Sequence, residues 1–145
     1  MSDADSPHPA ETLDGVSTVE VRTSASAALI PTIRAVASDL AARADFDLDA
    51  ISDLRMAVDE ACATLVDVAA PRSDLRCTFL VRADGIEVLA RVHAGPEVGV
   101  STDTFGWRVL QTLADEVAVI GPSADDGAAA TVGIRLDKLA GEPSR

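Results

Sequence analysis

Glu60 is the side chain in this chain best placed to do chemistry. Through Ala57-Val58-Asp59-Glu60-Ala61-Cys62-Ala63-Thr64-Leu65-Val66 the apolar residues recur every three or four positions. With Ile51 and Leu54 they put Val58, Ala61, Cys62 and Leu65 on one stripe of a helix, and Glu60 and Thr64 one turn apart on the opposite side. A carboxylate there can take a proton or orient a nucleophile, and a hydroxyl one turn on can join it as an oxygen ligand for a hard cation such as Mg²⁺. The plain alternative is a solvated glutamate and a surface threonine, and the residues alone favour it.

The elements that must hold this helix follow from patterning. Val19 and Val21 alternate with Glu20 and Arg22 as in a strand with one wet face. Ser24 or Ser26 can cap a first helix running to about Arg43, its buried stripe being Ile30, Ile33, Val36, Ala37, Leu40 and Ala41, with Pro31 in the first turn, where no amide is needed. Asp49 is the expected N-cap of the second helix, which ends before Pro71. Leu75, Cys77, Phe79 and Val81 alternate up to Asp84-Gly85, a tight-turn pair, and Ile86, Val88, Ala90 and Val92 alternate beyond it, so a hairpin is predicted. A third helix is expected through Trp107, Val109, Leu110 and Leu113. Val117 to Ile120 and Thr131 to Leu136 then read as two strands split by the turn-rich stretch from Gly121 to Gly127. This order predicts an α+β two-layer sandwich, with helices on one face of a mostly antiparallel sheet.

At 145 residues the chain matches one domain. Residues 1–15 hold Pro7, Pro9 and several acids with few large apolar groups, so they are predicted to be a disordered acidic tail. The domain is expected over 16–138 and a flexible tail over 139–145. A net charge of −12 argues against a nucleic-acid surface and points to a protein partner. No apolar run approaches the roughly 20 residues of a membrane span, and the acidic N-terminus is not a signal peptide, so a cytoplasmic protein is expected. Cys62 and Cys77 fit no paired metal spacing and read as small core residues.

The segment 57–66 resembles the first motif of the ATPase superfamily that includes gyrase and the histidine kinases, in the version carried by bacterial anti-sigma factors that double as serine kinases. There it runs approximately Ala-Val-x-Glu-Ala-x-x-Asn-Ala-Val, and Thr64 stands where the Mg²⁺-holding asparagine would be. The second motif, Asp-x-Gly-x-Gly, is matched by His93-Ala94-Gly95-Pro96-Glu97, so His93 replaces the adenine-reading aspartate and only Gly95 is kept. The third, Gly-x-Gly-Leu-x-Leu-Ile-x-x-Leu-x-Asp-Glu-Val, is followed closely from Phe105 to Val117, with Gly106 retained and Thr104 in place of the first glycine. Across residues 16 to 138 the fold-building positions match and most nucleotide-holding ones are replaced.

The resemblance implies a histidine-kinase-like ATPase (Bergerat) fold on a serine/threonine-protein kinase scaffold whose ATP-binding motifs have eroded. It implies Glu60 as a vestigial group or general base. Thr64, His93, Gly95 and Gly106 become a degenerate nucleotide site, and Thr64 the metal position. Arg34 matches by spacing an arginine used for partner contact. The implied partners are a sigma factor, an anti-anti-sigma factor and a second copy of the chain, with ATP and Mg²⁺ as doubtful cofactors. Three readings stay open: an anti-sigma factor with weak or lost nucleotide binding, an active kinase that phosphorylates its antagonist, and a stand-alone ATP-sensing or structural domain.

Overall fold

The computed structural model describes residues 16–95, 98–125 and 129–141. The acidic tail and the last four residues lie outside them, as do Pro96, Glu97 and residues 126–128. Strand β1 (Ser17–Ser24) leads through a 3-10 turn (Ala27–Leu29) into α1 (Ile30–Arg43) and α2 (Leu48–Val68). The hairpin β2 (Asp74–Arg82) and β3 (Gly85–Ala94) follows, then α3 (Phe105–Leu113), β4 (Glu116–Asp125) and β5 (Ala129–Leu139). Every strand pair is antiparallel, in the order β1-β2-β3-β5-β4. The expected element order and two-layer sandwich are both present.

Strand alternation builds the core. Leu75, Cys77, Phe79 and Val81 of β2, Ile86, Val88, Ala90 and Val92 of β3, and Val132, Ile134 and Leu136 of β5 are all buried on one face. Against them α1 packs Ile33, Ala37, Leu40 and Ala41, α2 packs Leu54, Ala57, Val58, Ala61, Cys62 and Leu65, and α3 packs Trp107 and Leu110. No helix among the described residues covers the other sheet face. It carries Thr18, Glu20 and Arg22 of β1 and Arg76, Thr78 and Leu80 of β2, followed by Glu87, Leu89, Arg91 and His93 of β3.

Several boundaries differ from expectation. Ser26 caps the 3-10 turn, its Oγ accepting from Ala28 N at 3.2 Å, and α1 begins only at Ile30 with Pro31 in its first turn. Asp47, rather than Asp49, caps α2. Its Oδ1 accepts from Ala50 N at 2.7 Å, which leaves Asp49 inside the first turn, where its charge still suits the helix dipole. The last two strands are longer than the apolar runs that announced them, because backbone pairing continues through Pro122 across a register shift between Ile120 and Ser123. The chain also stays in the fold past residue 138. Leu139 belongs to β5, and Ala140 donates its N–H to Asp84 O at 2.9 Å while its carbonyl accepts from Asp47 N at 3.2 Å.

Candidate functional site: Glu60 beneath the first turn of the third helix

Helix α2 carries Glu60 and Thr64 on the face away from its buried stripe, as the periodicity requires. Thr64 Oγ1 donates to Glu60 Oε2 at 3.4 Å, and both side chains are half-buried. What half-buries Glu60 is α3. Gly106, second residue of that helix, abuts the carboxylate so closely that an added Cβ would collide with Oε2 and lie 3.1 Å from Cδ. Glycine suits this close approach, because without a Cβ the helix end settles onto the acid and the flexible end of the Glu60 side chain need not shift. The placement is also favourable electrostatically, since a carboxylate at a helix N-terminus meets unpaired amides and the positive end of the dipole.

Thr104 fixes that turn. It is the N-cap of α3, its Oγ1 accepting from Trp107 N at 3.0 Å, so the threonine that stands in a glycine's place has a structural task of its own. At the other end of α3, Lys138 Nζ donates to Leu113 O at 3.0 Å and to Asp53 Oδ2 of α2 at 3.3 Å, tying β5, α2 and α3 together. Beneath α2, the thiols of Cys62 and Cys77 lie 3.9 Å apart in the core. The Cys77 thiol and burial push the Cys62 thiol far above its ordinary range, so it stays protonated and inert.

The other expected site residues are not gathered here. Alternation along β3 turns Val92 and Ala94 toward the helices and leaves His93 exposed on the opposite sheet face, its Nδ1 3.4 Å from Thr131 Oγ1. Gly95 meets no backbone: a Cβ there would touch Val98 Cγ2 at an ordinary 3.6 Å. Arg34 is not free. Its Nη1 lies 2.9 Å from Asp59 Oδ2, so it pins α1 to α2 with about a third of each side chain exposed.

A nucleotide with Mg²⁺ would need several oxygens and an adenine acceptor converging on one space. Two oxygen-bearing side chains converge, Glu60 and Thr64; Gly106 closes over the acid, and His93 is across the sheet. The described residues do not fit the group. Among the described residues no cluster of three or more His, Cys, Asp and Glu stands ready for a metal. A concavity of about 890 Å³ lies elsewhere, lined by Ala44, Asp45, Ala83, Asp84, Leu139, Ala140 and Gly141 and by none of the candidate residues.

Residues 23–132 match the model of the histidine kinase-like ATPase domain. Over 132 residues the chain is 33% identical to the anti-sigma-F factor RsbW of two Mycobacterium tuberculosis strains, CDC 1551/Oshkosh and H37Rv, covering 90% of this chain and 79% of theirs. The chain belongs to the RsbW-type anti-sigma branch of the histidine kinase-like ATPase family. Membership of this family accounts for the α+β sandwich and for the order of the three motifs. It also makes the contrast at the site informative, because the fold is complete while the residues at the expected nucleotide positions are scattered. Sequence reasoning missed two residues that matter locally. Thr104 could have been found as an N-cap from its place before Phe105-Gly106-Trp107. Asp59, the partner of Arg34, carried no signal beyond its charge.

Proposed function

We propose that this chain is an anti-sigma factor that works by protein contact: it sequesters an alternative sigma factor and releases it when an anti-anti-sigma protein competes for the same surface. The likeness to anti-sigma-F factor RsbW across most of both chains carries the reading. The dispersal of Glu60, His93 and Gly95 supports a nucleotide-independent mode, in which the two partners compete and the outcome follows their relative affinities. Such a protein works beside RNA polymerase, in the cytoplasm. No helix among the described residues is long and apolar enough to cross a membrane.

The surface next to Glu60 suits such contact. Phe105 is 81% exposed at the start of α3, and Met56 is 47% exposed on α2 one turn before Glu60. An exposed aromatic is the kind of group that anchors interfaces. Co-expression with each sigma factor of the source organism, followed by pull-down, tests the reading; failure to retain any of them refutes it. The kinase alternative keeps one supporting observation, the approach of Thr64 to Glu60, and calorimetric titration with ATP and Mg²⁺ decides between the two.

A further inference from the structure

Antiparallel pairing sets Arg22 opposite Arg76, and Arg76 opposite Arg91. Three guanidinium side chains therefore lie side by side on the sheet face that no helix among the described residues covers. Arg22 is neutralised by Asp74, Nε to Oδ2 at 2.9 Å. Arg76 and Arg91 make no ion pair among the described residues. Arg91 Nε, moreover, is shut off from solvent with no hydrogen-bond partner.

Each of these features is unfavourable for the isolated chain. Like charges directly opposed across a strand pair repel, and a buried donor without an acceptor loses the water it would otherwise hold. The chain has 24 acidic residues for 12 basic ones, so partners for two arginines were abundant. Local rules broken without internal compensation are the mark of a site made for something outside the chain.

The surroundings state what that something is. Next to Arg91 in the register row stands Gly133, where a Cβ would come 2.8 Å from Arg91 Cγ, so the missing side chain lets the arginine stem lie across β5. Beside the pair is a cavity of about 170 Å³ lined by Asp74, Arg76, Arg91, Val92, His93 and Thr131. The acid in that lining, Asp74, is engaged by Arg22, and what remains is a set of donors: two guanidinium forks, the Thr131 hydroxyl and the His93 ring. The volume falls below the roughly 300 to 1,000 Å³ of pockets that take drug-sized ligands, so a head group fits and a whole nucleotide does not. Guanidinium forks bind oxyanions in bidentate fashion, and a tetrahedral group offers enough terminal oxygens to engage two forks and a hydroxyl together, which a carboxylate cannot.

We propose that Arg76 and Arg91, with Thr131 and His93 at the rim, form a binding site for a phosphoryl dianion, carried either as free phosphate or as a phosphomonoester on a larger molecule. The site is on the far side of the sheet from Glu60 and does not depend on the anti-sigma reading. The test follows the arginine Nε–Hε resonances of the ¹⁵N-labelled full chain during titration with inorganic phosphate at constant ionic strength, with chloride and acetate as controls. Arg91 Nε–Hε should shift saturably with phosphate and not with chloride. Arg76→Gln, at an exposed position that cannot disturb the core, should weaken binding about tenfold, Arg91→Gln should abolish it, and Arg55→Gln on the outer face of α2 should leave it unchanged. A parallel titration with a phosphoserine peptide distinguishes the carriers: tighter binding of the peptide assigns the site to a modified side chain, tighter binding of phosphate to the free anion. A response to phosphate that never saturates, that chloride reproduces, or that Arg76→Gln leaves intact overturns the proposal.

Discussion

Gly106→Ala should reverse the sign of its effect according to what stands at position 60. In an exposed helix interior, replacing glycine by alanine stabilises by roughly 0.5 to 1 kcal/mol through helix propensity and reduced unfolded-state entropy. At position 106 the new methyl would collide with the Glu60 carboxylate. Overpacking of this kind costs about 1 to 3 kcal/mol, and because the obstructing atoms are the end of a flexible, half-buried side chain the lower figure applies, near 1 kcal/mol. The two terms nearly cancel, so Gly106→Ala alone should be neutral or slightly destabilising. In a Glu60→Ala background the obstacle is gone, and the same substitution should raise stability by the full propensity gain. Glu60→Ala itself should cost about 0.5 to 1 kcal/mol, since it removes a charge at the N-terminus of α3 as well as the Thr64 contact. Urea unfolding of the four proteins gives a coupling energy expected near 1 kcal/mol, equivalent to roughly 3 °C in Tm. If Gly106→Ala stabilised both backgrounds equally, α3 would not rest on Glu60 and the description of this site would be wrong.

Calorimetric titration with ATP and Mg²⁺ should show no saturation below roughly 10 μM, because the acceptor, metal and glycine positions are not assembled. Phe105→Asp should leave Tm unchanged, since the ring is 81% exposed, yet weaken retention of the sigma factor; an unaltered pull-down would place the interface elsewhere. Arg34→Glu should lower stability by about 1 to 3 kcal/mol, because it sets a carboxylate against Asp59, whose Oδ1 is already buried without a partner, so a lost pull-down with this variant would not by itself locate an interface. Cys62 should resist thiol reagents in the native state and react on unfolding. Because its folded pKa is raised, its contribution to stability is complete below the unfolded value near 8.5 and falls above it by about 1.4 kcal/mol per pH unit, which urea unfolding between pH 8 and 10 measures.

Periodicity made the core legible. The stripe from Ile51 to Leu65 and the alternation around Asp84-Gly85 are packing statements, and packing decides those elements. The caps were harder, because Asp47 and Asp49 are the same residue type two positions apart and only the backbone shows whose oxygen reaches the amide three residues on. The misplacement of His93 had a remedy already in the sequence. The alternation that buries Val88, Ala90 and Val92 necessarily sends Arg91 and His93 to the other face, whereas motif spacing ignores which way a residue points. The hairpin register was not legible in the same way: a turn at Asp84-Gly85 would set Arg76 opposite His93, whereas the strands turn at Ala83-Asp84, Gly85 pairs with Arg82, and Arg76 faces Arg91. The β1–β2 pairing that adds Arg22, and the fold of α3 onto Glu60, are contacts between distant segments for which a single sequence carries no local signal.

The three motifs can now be sorted by what each residue does in the folded chain. In the first, Ala57, Val58, Ala61, Cys62 and Leu65 are buried under 2% exposure and hold α2 to the sheet. In the third, Trp107 and Leu110 anchor α3, Thr104 caps it and Gly106 makes room for Glu60. In the second, His93 is a surface residue and, among the described residues, Gly95 meets no contact that requires glycine. Fold-forming roles therefore explain nearly every retained position without reference to a nucleotide. A domain built this way still presents a rigid outer surface, and if regulation needs only two proteins competing for that surface, nothing in the function requires the catalytic set to be whole. Glu60 is then kept by its place at the N-terminus of α3, which is why the Gly106 cycle rather than a kinase assay is the sharper probe of what this acid does.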